Sequence, residues 1–125
     1  METFFNPLSV AIVGATEKPG SLPGIILKNL LSMGFKGKMY PVNPKYETVF
    51  GLNCFPSIRD IPDEVALTVI AIPAPWVLDV LQQQADKRIR HAIIISAGFR
   101  EKGAEGIEME ERIRRVAIEN DMRIL

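Results

Sequence analysis

The sequence predicts an α/β fold: a parallel sheet of five strands, doubly wound in the order 3-2-1-4-5, with helices on both faces. Three observations carry this expectation. Five short β-branched or apolar runs recur along the chain, and helix-like patterns follow most of them. The runs are continuous rather than alternating, as strands covered on both faces require. Right-handed crossovers between parallel neighbours then give the doubly wound arrangement.

The first strand is Val10-Ala11-Ile12-Val13, which runs into the loop Gly14-Ala15-Thr16-Glu17-Lys18-Pro19-Gly20-Ser21. Pro23 suits the start of the first helix, where its missing N–H costs little. Ile26, Leu27, Leu30, Leu31 and Met33 supply that helix's apolar side and Gly34 its stop. Lys38-Met39-Tyr40-Pro41-Val42 is a weaker second strand, closed by Asn43-Pro44. Residues 46–64 break the alternation, and Pro56, Ser57, Asp60 and Pro62 predict a loop with one short helical turn. The third strand is Leu67-Thr68-Val69-Ile70-Ala71-Ile72, after which Pro75 starts a helix with Val77, Val80, Leu81 and Ala85 on one side. The fourth is His91-Ala92-Ile93-Ile94-Ile95-Ser96. The helix after it carries Met109, Ile113, Val116 and Ala117 on one face and Glu108, Glu111, Arg112 and Arg115 on the other. Met122-Arg123-Ile124-Leu125 begins a fifth strand.

Composition narrows the function classes. The 125 residues suit one domain, 1–125, with no repeat or linker. Fifteen basic and fifteen acidic residues leave no net field to draw nucleic acid or an anionic membrane. The longest apolar runs fall short of a membrane span, and Met1-Glu2-Thr3 lacks the positive start of a secretory signal. A cytoplasmic domain is expected. The single Cys54 excludes an internal disulfide framework, and no metal site is expected.

In a doubly wound sheet, ligands bind at the carboxyl ends of the strands. Four loops therefore become candidates. The Gly14–Ser21 loop can turn backbone N–H groups and a helix N-terminus toward a phosphate. It does not match the dinucleotide pattern Gly-x-Gly-x-x-Gly, because Thr16 and Pro19 stand at the second and third glycines. The second strand ends Val42-Asn43-Pro44-Lys45, a cation where an NAD site usually carries an acid. Lys45 fits a phosphate near a ribose, as in NADP or coenzyme A, or else is a solvated lysine in a turn. Ile72-Pro73-Ala74-Pro75 forms either a stiff apolar lip or an ordinary helix entry. Ser96-Ala97-Gly98-Phe99 permits close backbone approach or a tight turn.

Together these endings resemble the CoA-binding domain of ADP-forming acyl-CoA synthetases, relatives of the succinyl-CoA synthetase alpha subunit. The resemblance rests on Gly14-Ala15-Thr16 with Pro19-Gly20-Ser21, on Tyr40 to Lys45, and on Pro56-Ser57-Ile58 with Asp60-Ile61-Pro62-Asp63. Val69 to Ala74 and Ile94 to Phe99 extend it over nearly the whole chain. It implies a Rossmann-like domain with CoA held by Gly14, Ala15, Thr16, Pro19, Gly20, Ser21, Val42, Asn43, Pro44, Lys45, Ile72, Pro73, Ala74, Ser96, Ala97 and Gly98. It also implies that catalysis lies elsewhere. In such ligases, acyl-CoA, ADP and phosphate exchange with acid, CoA and ATP through acyl-phosphate and phosphohistidine intermediates. The expected partners are the remaining ligase and ATP-grasp domains or subunit, and the chain is expected to be a fragment of a longer protein. A stand-alone CoA-binding or regulatory module and an NAD(P)-dependent dehydrogenase domain are the alternatives.

Three further residues are read plainly. His91, the only histidine, falls at the amino end of its strand and is a poor phosphohistidine candidate. Cys54 has no neighbouring histidine to activate it. Trp76 is read as core or partner surface rather than as a residue stacking on a base.

Overall fold

The computed structural model describes residues 8–95 and 103–125. Strand β1 (Ser9–Val13) is followed by helix α1 (Leu22–Ser32) and strand β2 (Lys38–Val42). A small hairpin of β3 (Thr48–Val49) and β4 (Leu52–Asn53) comes next, then a 3-10 turn at Ile58–Asp60. Strand β5 (Leu67–Ile70), helix α2 (Ala74–Asp86), strand β6 (His91–Ile94), helix α3 (Ala104–Glu119) and strand β7 (Arg123–Ile124) complete the order. All pairings in the main sheet are parallel.

Every residue of β1 is buried, because the strand is covered on both sides. Val10 and Ile12 face α1 and the hairpin, packing with Leu27, Val49, Leu67 and Val69. Ala11 and Val13 face the opposite layer, where Ile58, Ile61, Val77 and Leu81 join them from the 3-10 turn and α2. The alternating direction of successive side chains thus feeds two cores from one strand. Helix α1 starts as its sequence demands: Ser21 is the N-cap and accepts from the Gly24 N–H at 3.3 Å, with proline in the first turn. It stops at Gly34, whose φ of +72° suits glycine, and Phe35 N–H closes on Leu30 C=O at 3.1 Å.

The class is the one expected: five parallel strands wound on both faces. One neighbour relation differs. The main sheet runs β2-β1-β5-β6-β7, so the third strand in sequence stands beside β1 rather than outside β2. Counted along the main sheet this is 2-1-3-4-5 in place of 3-2-1-4-5. Pro41 supplies the reason. The Pro41 C=O and Asn43 N–H point away from β1 and bond Phe55 at 3.0 and 2.9 Å. The missing N–H of Pro41 falls on that same outer side, where a central strand would need a donor. Strand β2 is therefore an edge, and Phe55 takes the one bridge available there. The chain then returns across the sheet through the 3-10 turn, and the crevice between diverging crossovers opens between β1 and β5. The predicted helical turn in residues 46–64 is the 3-10 turn, whereas the hairpin was not anticipated.

Candidate ligand site

The loop after β1 approaches β5 so closely that its first residue must be glycine. Gly14 has φ +91°, and a Cβ there would lie 2.4 Å from the Ala71 carbonyl oxygen. The Gly14 and Ala15 N–H groups both point to the Val42 carbonyl, at 2.9 and 3.3 Å. Ala15 is fully buried, so it braces the loop from behind. Thr16 Oγ1 accepts from the Lys18 N–H at 3.2 Å and donates to the Tyr46 hydroxyl at 3.4 Å. Ser21 Oγ donates to Lys18 C=O at 3.0 Å.

Asn43 ties this loop to the end of β2. Its Nδ2 donates to Ala15 C=O at 3.0 Å, and its Oδ1 accepts from Lys45 N–H at 2.9 Å. The second bond is an Asx turn, which leaves the Lys45 side chain exposed on the rim. After β5, Pro73 caps α2 and proline recurs in its first turn, with Trp76 N–H bonding Pro73 C=O at 3.0 Å. Prolines remove donors, so this helix entry is an apolar lip rather than an anion site.

These elements enclose a cleft of about 670 Å3 at the carboxyl ends of β1, β2 and β5, within the roughly 300–1,000 Å3 common to ligand sites. Of the residues predicted from sequence, Gly14, Val42, Asn43, Pro44, Lys45, Ile72 and Pro73 line it. Thr16 instead lines a neighbouring hollow with Glu17, Lys18 and Tyr46. Ala15, Pro19, Gly20, Ser21 and Ala74 are not among the residues lining the main cleft. Ser96, Ala97 and Gly98, with Phe99, lie outside the described residues.

Sequence reasoning missed the opposite wall. Pro56, Ser57 and Ile58 from the connector face Trp76, Val80 and Gln83 from α2 across the cleft. Pro56, Ser57 and Ile58 belong to a motif of the family resemblance but were not read as site residues, and the signal for Trp76, Val80 and Gln83 was their spacing, which places them on one side of the helix. Trp76 is 64% exposed and is not core.

The titratable groups near and far from the cleft read differently from nucleophiles. Burial pushes the Cys54 thiol up, against a smaller opposing effect of a backbone hydrogen bond with Asn43, so it is not a poised thiolate. His91 opens β6 at the amino edge, about 10 Å from Ile94 at about 3.3 Å per residue. Burial chiefly, with smaller effects of positive charge that include Arg123, lowers its pKa. Among the described residues no helix is long and apolar enough to cross a membrane.

A sequence profile of the CoA binding domain matches residues 8–125. The ADP-forming acetate–CoA ligase II of Archaeoglobus fulgidus is 45% identical over 125 residues, covering 99% of this chain and 18% of that protein. The alpha subunit of ADP-forming acetate–CoA ligase I from Pyrococcus furiosus is 41% identical, covering 100% of this chain and 28% of the subunit. The solved apo form of the dinucleotide forming acetyl-coenzyme A synthetase 1 of Ca. Korarchaeum cryptofilum superposes with a TM-score of 0.91 at 43% identity. That match covers 99% of this chain and 27% of that one. The chain thus spans 18% to 28% of the lengths of these proteins.

Proposed function

This chain belongs to the CoA binding domain family, and we propose that it is the part of an ADP-forming acyl-CoA synthetase, an acid–thiol ligase, that holds CoA in place for acyl transfer. The observation that carries the reading is the cleft at the crevice between β1 and β5, with Lys45 on its rim and apolar walls inside. A cationic rim suits the phosphates of CoA and apolar walls suit the rest of the molecule. Gly14 lets the β1 loop close on the Ala71 carbonyl at the cleft, and Asn43 holds Lys45 and the β1 loop in register.

In this reading the domain's contribution is positional. Binding CoA in one geometry turns a bimolecular encounter of thiol and acyl donor into a near-unimolecular one. The ATP-binding domain and the phosphorylated histidine belong to the remainder of the ligase. His91 does not fit the latter role, since it lies at the edge of the sheet opposite the cleft.

The test is calorimetry of CoA, 3′-dephospho-CoA and NAD with wild type and Lys45→Ala. CoA should bind and NAD should not. Loss of the Lys45 charge should weaken CoA about tenfold at low salt, because a charge-assisted bond on the rim is partly screened. Equal loss for both CoA forms assigns Lys45 to the diphosphate, and loss for CoA alone assigns it to the 3′-phosphate. Binding of NAD as tight as CoA would overturn the reading in favour of a dehydrogenase domain.

A further inference from the structure

The cleft has two chemically different ends. Its mouth carries Lys45, while its inner part is a slot between the connector and α2. One side of the slot is Pro56 and Ile58, and the other is Trp76 and Val80, with Gln83 one helical turn further in. Gln83 is the last residue of α2 to line it. Arg59 pairs with Asp86 at 2.8 Å, and Lys87 Nζ donates to Ile61 C=O at 2.6 Å, so the connector and α2 are fastened together there.

We infer that Trp76 stacks on the adenine ring of CoA, which enters this slot as the unreactive end of the ligand. The inference rests on the CoA reading above and deepens it. A slot that ends where the connector and α2 are fastened leads away from an acyl donor, whereas the pantetheine thiol must leave this domain to meet one. The slot suits a terminal, planar group. An indole 64% exposed beside proline offers a flat apolar face to such a group. Gln83 supplies the polar complement. Its Nε2 donates one bond to Asp79 at 3.0 Å, and the amide's second hydrogen and its oxygen match the donor–acceptor edge of adenine. With the ring seated there, the phosphates fall toward Lys45 and the β1 loop, and the arm leaves along the carboxyl edge.

Trp76 is the chain's single tryptophan, so its fluorescence reports on this slot alone. The experiment titrates the full chain with CoA, adenosine 3′,5′-bisphosphate and pantetheine, following fluorescence and calorimetric heat together. CoA and the bisphosphate should quench Trp76 saturably, and pantetheine should leave it unchanged. Trp76→Ala should weaken CoA binding by about tenfold, in the range of a lost base–aromatic stack. Trp76→Phe should recover most of that loss. Because the indole is exposed, both variants should melt within a few degrees of wild type, which separates binding from folding. CoA binding with unchanged fluorescence, or quenching by pantetheine and not by the bisphosphate, overturns the stacking while leaving the CoA site standing. Absence of any CoA heat removes both.

Discussion

The loops after β1 and after β5 lie against each other at one side of the cleft and are held rigid by opposite means. The β1 loop is wired by hydrogen bonds: Gly14 and Ala15 to Val42, Asn43 to Ala15, Lys18 to Thr16, and Ser21 to Lys18 and Gly24. The β5 exit is fixed by covalent geometry, since prolines at the cap and first turn of α2 set φ and remove donors. A wired loop can present polar groups to a ligand, but each wire is a point of failure. A proline-stiffened loop presents little polarity and depends on no single partner.

The largest test of this contrast is Gly14→Ala. Positive φ and a Cβ 2.4 Å from the Ala71 carbonyl act together, each worth about 1–3 kcal/mol. Urea denaturation should show a loss of about 3 kcal/mol or more, and a loss below about 1 would mean the two loops are not tightly apposed. Next is Asn43→Ala, which leaves the part-buried Ala15 C=O and the exposed Lys45 N–H without their side-chain partner. It should cost about 1–3 kcal/mol and weaken CoA by more than the stability loss alone accounts for. Unchanged affinity would show that the wiring does not position Lys45.

The strongest alkaline sensitivity should arise at the other end of the sheet. Tyr40 donates to Asp63 Oδ2 at 2.8 Å, and burial, then that bond and the Asp63 charge, push its pKa up to about 12. The folded state thus favours the neutral phenol. Its contribution is complete below pH 10 and is lost as pH rises from 10 toward 12. Denaturation midpoints should fall over that window in wild type and fall less in Tyr40→Phe; equal slopes would remove Tyr40 as the cause. The smallest effect belongs to Pro73→Ala. It should cost only about 0.4–1 kcal/mol, through a freer unfolded chain, with CoA affinity nearly unchanged. A loss as large as that of Asn43→Ala would erase the distinction between the two loops.

The strands and helices were legible because long apolar runs and capping residues are local signals. Ser21, Pro23 and Gly34 punctuate α1 where they were expected to. The position of the third strand required the side of β2 on which Pro41 lacks a donor, and that follows only once the pairing with β1 is known. The β3–β4 hairpin hid because its turn is Phe50-Gly51, with Phe50 at φ +49°, where asparagine or aspartate would have announced it. In the cleft, the strand-end loops were readable by the rule that places ligands there. The wall of Pro56, Ile58, Trp76 and Gln83 was not, because it exists only when the connector packs on α2.

Pro41 has a further effect, on how copies of this molecule meet. An exposed strand edge is a template on which another chain can add its own strand and begin to aggregate. Here one flank of the main sheet is sealed against that, by a residue with no amide hydrogen and by Phe55 occupying the bridge position beside it. The residue that sets the order of the strands also keeps the sheet from growing at its β2 side.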